Sequence, residues 1–179
     1  MALWGISANV DEAKPKWLTD EQKKNVYATD RGWVQLNGKG LEEVIVAIGG
    51  LAGGTSETAG LGKATADYVN FVNASYSALG GGNLDVLVTF NERVTVTGLP
   101  QITITNTTTS ATYTAEYVST YRNRVTFRVT NPTPVAKDDV LTVLGQPIAP
   151  NGGAIEDYGT NLASNLNIPE VASTLTVVE

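Results

Sequence analysis

The sequence predicts an all-β protein: a β-sandwich of about eight short strands, preceded by an extended N-terminal arm and a small β-hairpin module. Three observations predict it. Thr, Val, Asn and Gly are abundant while the chain holds a single Met, a mixture that favours strands and turns over helices. From residue 67 onward, apolar and polar residues alternate in short segments at roughly ten-residue spacing, the pattern of strands with one buried and one wet face. Earlier in the chain, an Asn37-Gly38 pair stands between two apolar segments, the strongest short-range hairpin signal. With 42% hydrophobic and 17% charged residues, the chain is apolar enough to fold.

The aromatic residues divide the chain. Trp4, Trp17 and Trp33 all precede residue 34, whereas Phe71, Phe90 and Phe127 all follow residue 70. A single core would not sort them so cleanly. Three parts result: an N-terminal arm, short helix and hairpin over 1–56, a Gly-rich linker over 57–66, and the sandwich over 67–179. The stretch 49–62, with six glycines beside Ser and Thr, reads as a flexible connector.

The first 18 residues carry no helical or strand period, and Lys14-Pro15-Lys16 favours an extended path. Thr19-Asp20-Glu21-Gln22 matches a capping box, with Gln22 three residues after the N-cap Thr19. It opens either a short helix over 20–26 or a polar turn, since so few residues do not stay helical alone. Strands over 32–36 and 42–48 then flank the Asn-Gly turn. A lone hairpin is marginal in water, so this one must add to another sheet.

In the sandwich, Tyr68 to Val72 open the first strand. Leu84, Val86, Val88 and Phe90 share one face of the second. Val94 and Val96 follow a turn over 91–93. Ile102 and Ile104 alternate with Thr103 and Thr105, and Tyr113, Ala115 and Tyr117 with Thr112, Thr114 and Glu116. Val125, Phe127 and Val129 alternate with Thr126 and Arg128. Segments 140–144 and 175–178 complete the set.

Composition narrows the function. Net charge is −6, and residues 67–179 carry ten acids against five bases. Without a basic stripe to neutralise phosphates, direct nucleic-acid binding is not expected. The chain has no Cys and no His, which removes thiolate metal sites, the commonest general base and the usual triad partner. Ser and Thr are plentiful, but no nucleophile–base pair stands out among them and the seven lysines. Gly60-Leu61-Gly62-Lys63-Ala64 comes nearest to a phosphate loop, yet Ala64 lacks the required hydroxyl. The expectation is a non-enzymatic protein without cofactors. The N-terminus lacks the charged and apolar regions of a signal peptide, and the longest apolar run, 44–48, suits one strand, so a soluble protein made in the cytoplasm is expected.

Two sets of residues are candidate sites. Asp138-Asp139 and Glu156-Asp157 would supply calcium with oxygens if both pairs met at one end of the sandwich, with Asp85 or Asn151 nearby. Solvated turn carboxylates are the favoured reading, because no calcium-loop motif is present. The aromatic residues Trp4, Trp17, Tyr27 and Trp33 are candidate interface residues, since Trp and Tyr bury much area while keeping a polar handle. Trp33, inside a strand, also suits a small local core. Trp4 and Trp17, on a segment without pattern, point to a partner.

The residues also carry two resemblances. Tyr68-Val69-Asn70-Phe71-Val72, Tyr76-Ser77, the run from Leu84 to Gly98, Leu99-Pro100-Gln101-Ile102-Thr103-Ile104, Arg124-Val125-Thr126-Phe127-Arg128-Val129 and the turn Asn151-Gly152-Gly153-Ala154-Ile155-Glu156-Asp157-Tyr158-Gly159-Thr160-Asn161 resemble, in the right order, bacterial Ig-like domains of surface-layer and adhesin-type proteins. The turn has one extra residue before its closing Asn. This resemblance implies an Ig-like sandwich and says little of function. Met1-Ala2-Leu3-Trp4-Gly5, Ala13-Lys14-Pro15-Lys16, Asn25 to Val34 and Glu42 to Leu51 resemble the opening of structural proteins of tailed bacteriophages, especially those of marine cyanobacteria. That resemblance implies a virion component without saying which one. The role expected is a capsid decoration (cement) protein that joins neighbouring major-capsid subunits through its N-terminal region, with self-association on the capsid as a further contact. A neck, tail or fibre position is the alternative, where the Ig-like domain would bind host-surface proteins or glycans. Such an adhesive face should show clustered exposed aromatics.

Overall fold

The computed structural model describes residues 14–29, 32–36, 41–47, 63–159, 161–169 and 173–179. Among them the fold is all-β apart from one four-residue helix. That helix, α1 (Asp20–Lys23), carries the expected capping box: Gln22 N donates to Thr19 Oγ1 at 3.3 Å, and Thr19 N donates to Gln22 Oε1 at 2.9 Å. It ends earlier than residue 26 because Val26 is buried as the start of a strand.

The N-terminal sheet has three strands, β1 (Val26–Thr29), β2 (Gly32–Leu36) and β3 (Glu42–Ala47), in that order and antiparallel. The expected hairpin is β2–β3; its Asn-Gly turn lies outside the described residues. β1 is an addition. It gives the hairpin the third strand that stability in water requires. Leu18, Val26 and Trp33 form a small core with Ala28, Ile45 and Val46 packed against it. The last residues of the expected arm therefore fold back on this sheet. Lys14 is buried there and its Nζ donates to Lys23 O at 2.6 Å.

The second part holds ten strands: β4 (Ala66–Phe71), β5 (Tyr76–Ser77), β6 (Asn83–Phe90), β7 (Val94–Thr97), β8 (Gln101–Asn106), β9 (Thr112–Tyr121), β10 (Arg124–Thr130), β11 (Val140–Val143), β12 (Ala154–Asp157) and β13 (Ser173–Val178). Eight of them form one sheet in the order β4-β6-β10-β9-β8-β11-β13-β5, and β12 pairs with β7 separately. The long sheet curls so that β13 packs against β4, where Phe71 N donates to Ser173 Oγ at 3.1 Å. This encloses one core, in which Leu84, Val86, Val88 and Phe90 lie beside Val125 and Phe127 of the paired β10 and share the interior with Ile102, Ile104 and Leu141.

Three departures from expectation have physical causes. The sandwich begins before residue 67: Ala64 and Ala66 are buried, Ala66 N donates to Asn165 O at 3.1 Å, and Asn91 N donates to Thr65 O at 2.9 Å. Residues 57–62 of the expected linker lie outside the described residues. Leu87 and Thr89, expected on a wet face, are buried, because β6 is flanked by β4 and β10. Finally, β12 forms where a closing turn was expected. Its entry depends on glycine: a Cβ at Gly153 would lie 2.1 Å from Thr97 O, and one at Gly98, where φ is +67°, would lie 2.5 Å from Gly153 Cα. The backbones of β7 and β12 thus approach as only glycine permits.

Candidate functional site

The N-terminal sheet is fastened to one end of the sandwich, and a groove runs along the junction. The sequence sets this up with Glu42-Glu43 at the start of an apolar strand. Pairing of β3 with β2 and with the turn at Asn91 buries Glu43, which retains 2% exposure. A carboxylate so placed needs a cation. Arg122 supplies it from the two-residue turn between β9 and β10: its Nε donates to Glu43 Oε1 at 3.2 Å and lies 3.0 Å from Oε2. Its Nη2 donates to Gln35 Oε1 at 2.9 Å. Arg122 adopts φ +58°, a left-handed conformation that glycine favours and that costs a side chain about 1–3 kcal/mol. Backbone bonds complete the clamp. Val44 N donates to Asn91 O at 2.7 Å, and Asn123 Nδ2 donates to Phe90 O at 2.7 Å and reaches Glu42 O at 3.4 Å. Burial nevertheless pushes the Glu43 carboxyl above its usual range; the charge and hydrogen bond of Arg122, then Arg93 and Arg124, oppose that shift without cancelling it.

The groove has a volume of about 700 Å³. Trp17, Leu18, Gln22 and β3 form one wall; Glu92, Arg93, Tyr121, Arg122 and Tyr158 form the other. Three of its aromatic residues are largely exposed: Trp17 at 68%, Tyr121 at 66% and Tyr158 at 54%. Each Tyr ring has a guanidinium over it, Arg93 at 3.7 Å from the Tyr158 centroid and Arg124 at 5.3 Å from that of Tyr121. The carboxylates differ in access. Glu43 and Asp157 are buried, and Asp157 Oδ1 accepts from Gly159 N at 2.7 Å, whereas Glu92 is half-exposed.

The predicted residues fall in different places. Trp4 lies outside the described residues. Trp17 stands in the groove wall. Tyr27 stays within its own sheet, donating to Glu42 Oε1 at 2.6 Å. Trp33 is 4% exposed and belongs to the local core, not to an exposed surface. The two acidic pairs do not meet. Asp157 sits beside Val94, at the Phe90 end of β6, whereas the loop carrying Asp138 and Asp139 follows Asn131, whose N donates to Gly82 O at the other end. Asp139 Oδ2 accepts from Asn106 Nδ2 at 2.7 Å and from Ala136 N at 2.8 Å, so it serves as an internal staple. Asp85 is paired with Arg128 at 2.6 and 2.7 Å. No cluster of three metal-ligating side chains occurs among the described residues. Adding a calcium chelator should leave the melting temperature unchanged. A fall of more than about 5 °C, beyond the shift expected for 1 kcal/mol in a chain this size, would restore the calcium reading.

Sequence reasoning missed Arg93, Tyr121, Arg122 and Tyr158. One signal was available for Arg122: paired acids opening an apolar strand demand a cation, and residues 67–179 hold only five. Among the described residues no helix is long and apolar enough to cross a membrane. Comparison of the chain with protein-family models, curated proteins and solved structures gives no match.

Proposed function

We propose that the protein is a non-enzymatic structural component of a tailed-phage virion, a capsid decoration protein whose sandwich is Ig-like and whose N-terminal region attaches it to the major capsid shell. The observation that carries this reading is Trp17: it is 68% exposed beside a three-stranded sheet that is clamped to the sandwich. An exposed Trp next to a chain segment bearing Trp4 is a natural anchor for a partner. The acidic sandwich, packed around one closed core, makes a soluble outer surface.

The test adds full-length protein to particles lacking it and counts bound copies. Trp4→Ala and Trp17→Ala should each weaken attachment by at least about 2 kcal/mol, roughly thirtyfold in affinity, without changing the melting of the sandwich. Full occupancy by the double variant would overturn attachment through this region. Binding confined to a vertex or the tail would overturn the decoration role.

A further inference from the structure

We propose that the junction groove is a binding site for a neutral oligosaccharide, held by stacking on Tyr121 and Tyr158 and by hydrogen bonds to the polar side chains between them. The inference stands apart from the attachment reading, because it concerns the sandwich wall of the groove and a soluble ligand.

Size is the first argument. A groove of about 700 Å³ falls within the range of small-ligand sites, roughly 300–1,000 Å³. Its chemistry is the second. Saccharides present flat C–H faces beside directional hydroxyls, and they need aromatic platforms next to groups that both donate and accept. The groove offers Tyr121 and Tyr158 on its sandwich wall, with Gln22, Glu92 and Thr120 among its polar lining.

Charge selects the ligand class. Each Tyr ring already carries a guanidinium, from Arg93 or Arg124, so a cationic group stacking there would meet a like charge at close range. The lining sets Glu43, Glu92 and Asp157 beside Arg93 and Arg122, so an ion of either sign meets a like charge there. A neutral polyol avoids both penalties. A guanidinium occupies one face of each ring, so stacking uses the other, and the rings retain 66% and 54% exposure for it. The adhesive reading of the sequence asked for such a cluster of exposed aromatics.

The experiment titrates the full chain with cellotetraose, maltotetraose, mannotetraose and chitotetraose, with a tetragalacturonate and a Lys-rich peptide as charged controls. Trp emission and calorimetry give the affinities. At least one neutral tetrasaccharide should bind, and both charged controls should bind at least about tenfold more weakly. Tyr121→Ala and Tyr158→Ala should each weaken the neutral ligand by about tenfold or more, while Tyr121→Phe and Tyr158→Phe, which keep the ring, should stay within about threefold. Both positions are exposed, so unchanged melting of the variants separates lost binding from lost folding. Trp17 is left intact, because attachment to particles would also use it. The proposal is overturned if no neutral sugar binds at millimolar concentration, if the Ala variants bind as well as wild type, or if the peptide binds more tightly than every sugar. The particle-binding test is independent of each of these results.

Discussion

Phe90→Ala and Phe127→Ala are each expected to destabilise the sandwich by about 3–5 kcal/mol. Both rings are fully buried, and both point into the one core that β6, β8, β10 and β11 enclose. Phe127 stands opposite Val86 on β6, in a register that runs unbroken from Arg124 to Thr130. Rigid strands on either side prevent the walls from collapsing into the space a truncated ring leaves, so the cavity persists and adds to the lost transfer energy. Thr126 is the internal control. It lies on the opposite face of β10 and is half-buried, so Thr126→Ala should cost less than half as much. Urea unfolding followed by far-UV circular dichroism checks all three. Equal losses at the three positions would mean that the inward face is wrongly assigned.

These rings show why the core could be read from the sequence while the groove could not. Period-2 alternation in Leu84, Val86, Val88 and Phe90 is a local signal, and burial of one sheet face translates it directly into structure. The capping box at Thr19 and the apolar segments around Asn37-Gly38 are local in the same way. By contrast, β12 reads as a turn: only Ile155 and Asp157 of its four residues are buried, and its pairing partner β7 lies far back in the chain. The groove is harder still. Trp17, Glu43, Arg93, Tyr121 with Arg122, and Tyr158 come from five separate segments, and only the docking of the N-terminal sheet brings them together. Tyr121 is instructive. Alternation from Tyr113 and Tyr117 suggests a core or sheet-surface position, but a β-bulge opposite Thr126 and Phe127 shifts the pairing by one residue, so Tyr121 lies beside Arg124 on the outer face and is exposed. The acidic pairs are a related case: adjacency in sequence gives two pairs, and strand direction puts them at opposite ends of β6, where they cannot share a calcium ion.

Arg122→Ala should release the N-terminal sheet from the sandwich and cost about 3 kcal/mol at neutral pH. The figure is the lower end of the penalty for removing one partner of a buried ion pair, because Glu43 is 3% exposed as a side chain whereas Arg122 is 32% exposed. Gln35 loses its Arg122 contact in the same step. All three tryptophans precede residue 34, so Trp emission reports on the N-terminal module, while the strand signal in circular dichroism comes mostly from the sandwich. In Arg122→Ala the Trp transition should move to lower urea and separate from the dichroism transition. The pH dependence then identifies the cause. Burial holds the Glu43 carboxyl above its usual range, so the folded state takes up a proton more readily than the unfolded state. The stability of the module must therefore fall as pH rises through the window above the ordinary glutamate value. Without Arg122 the strongest opposing influence is gone, and that fall should steepen and extend to higher pH. Acidification should restore part of the loss, because a protonated Glu43 no longer needs a cation. Glu43→Gln keeps an acceptor for Arg122 but carries no charge, so it should remain within about 1 kcal/mol of wild type and abolish the dependence in that window. A Trp transition in Arg122→Ala that is unmoved, or one equally lowered in Glu43→Gln, would mean that the junction is held by the backbone bonds at Val44 and Asn123 and not by the ion pair.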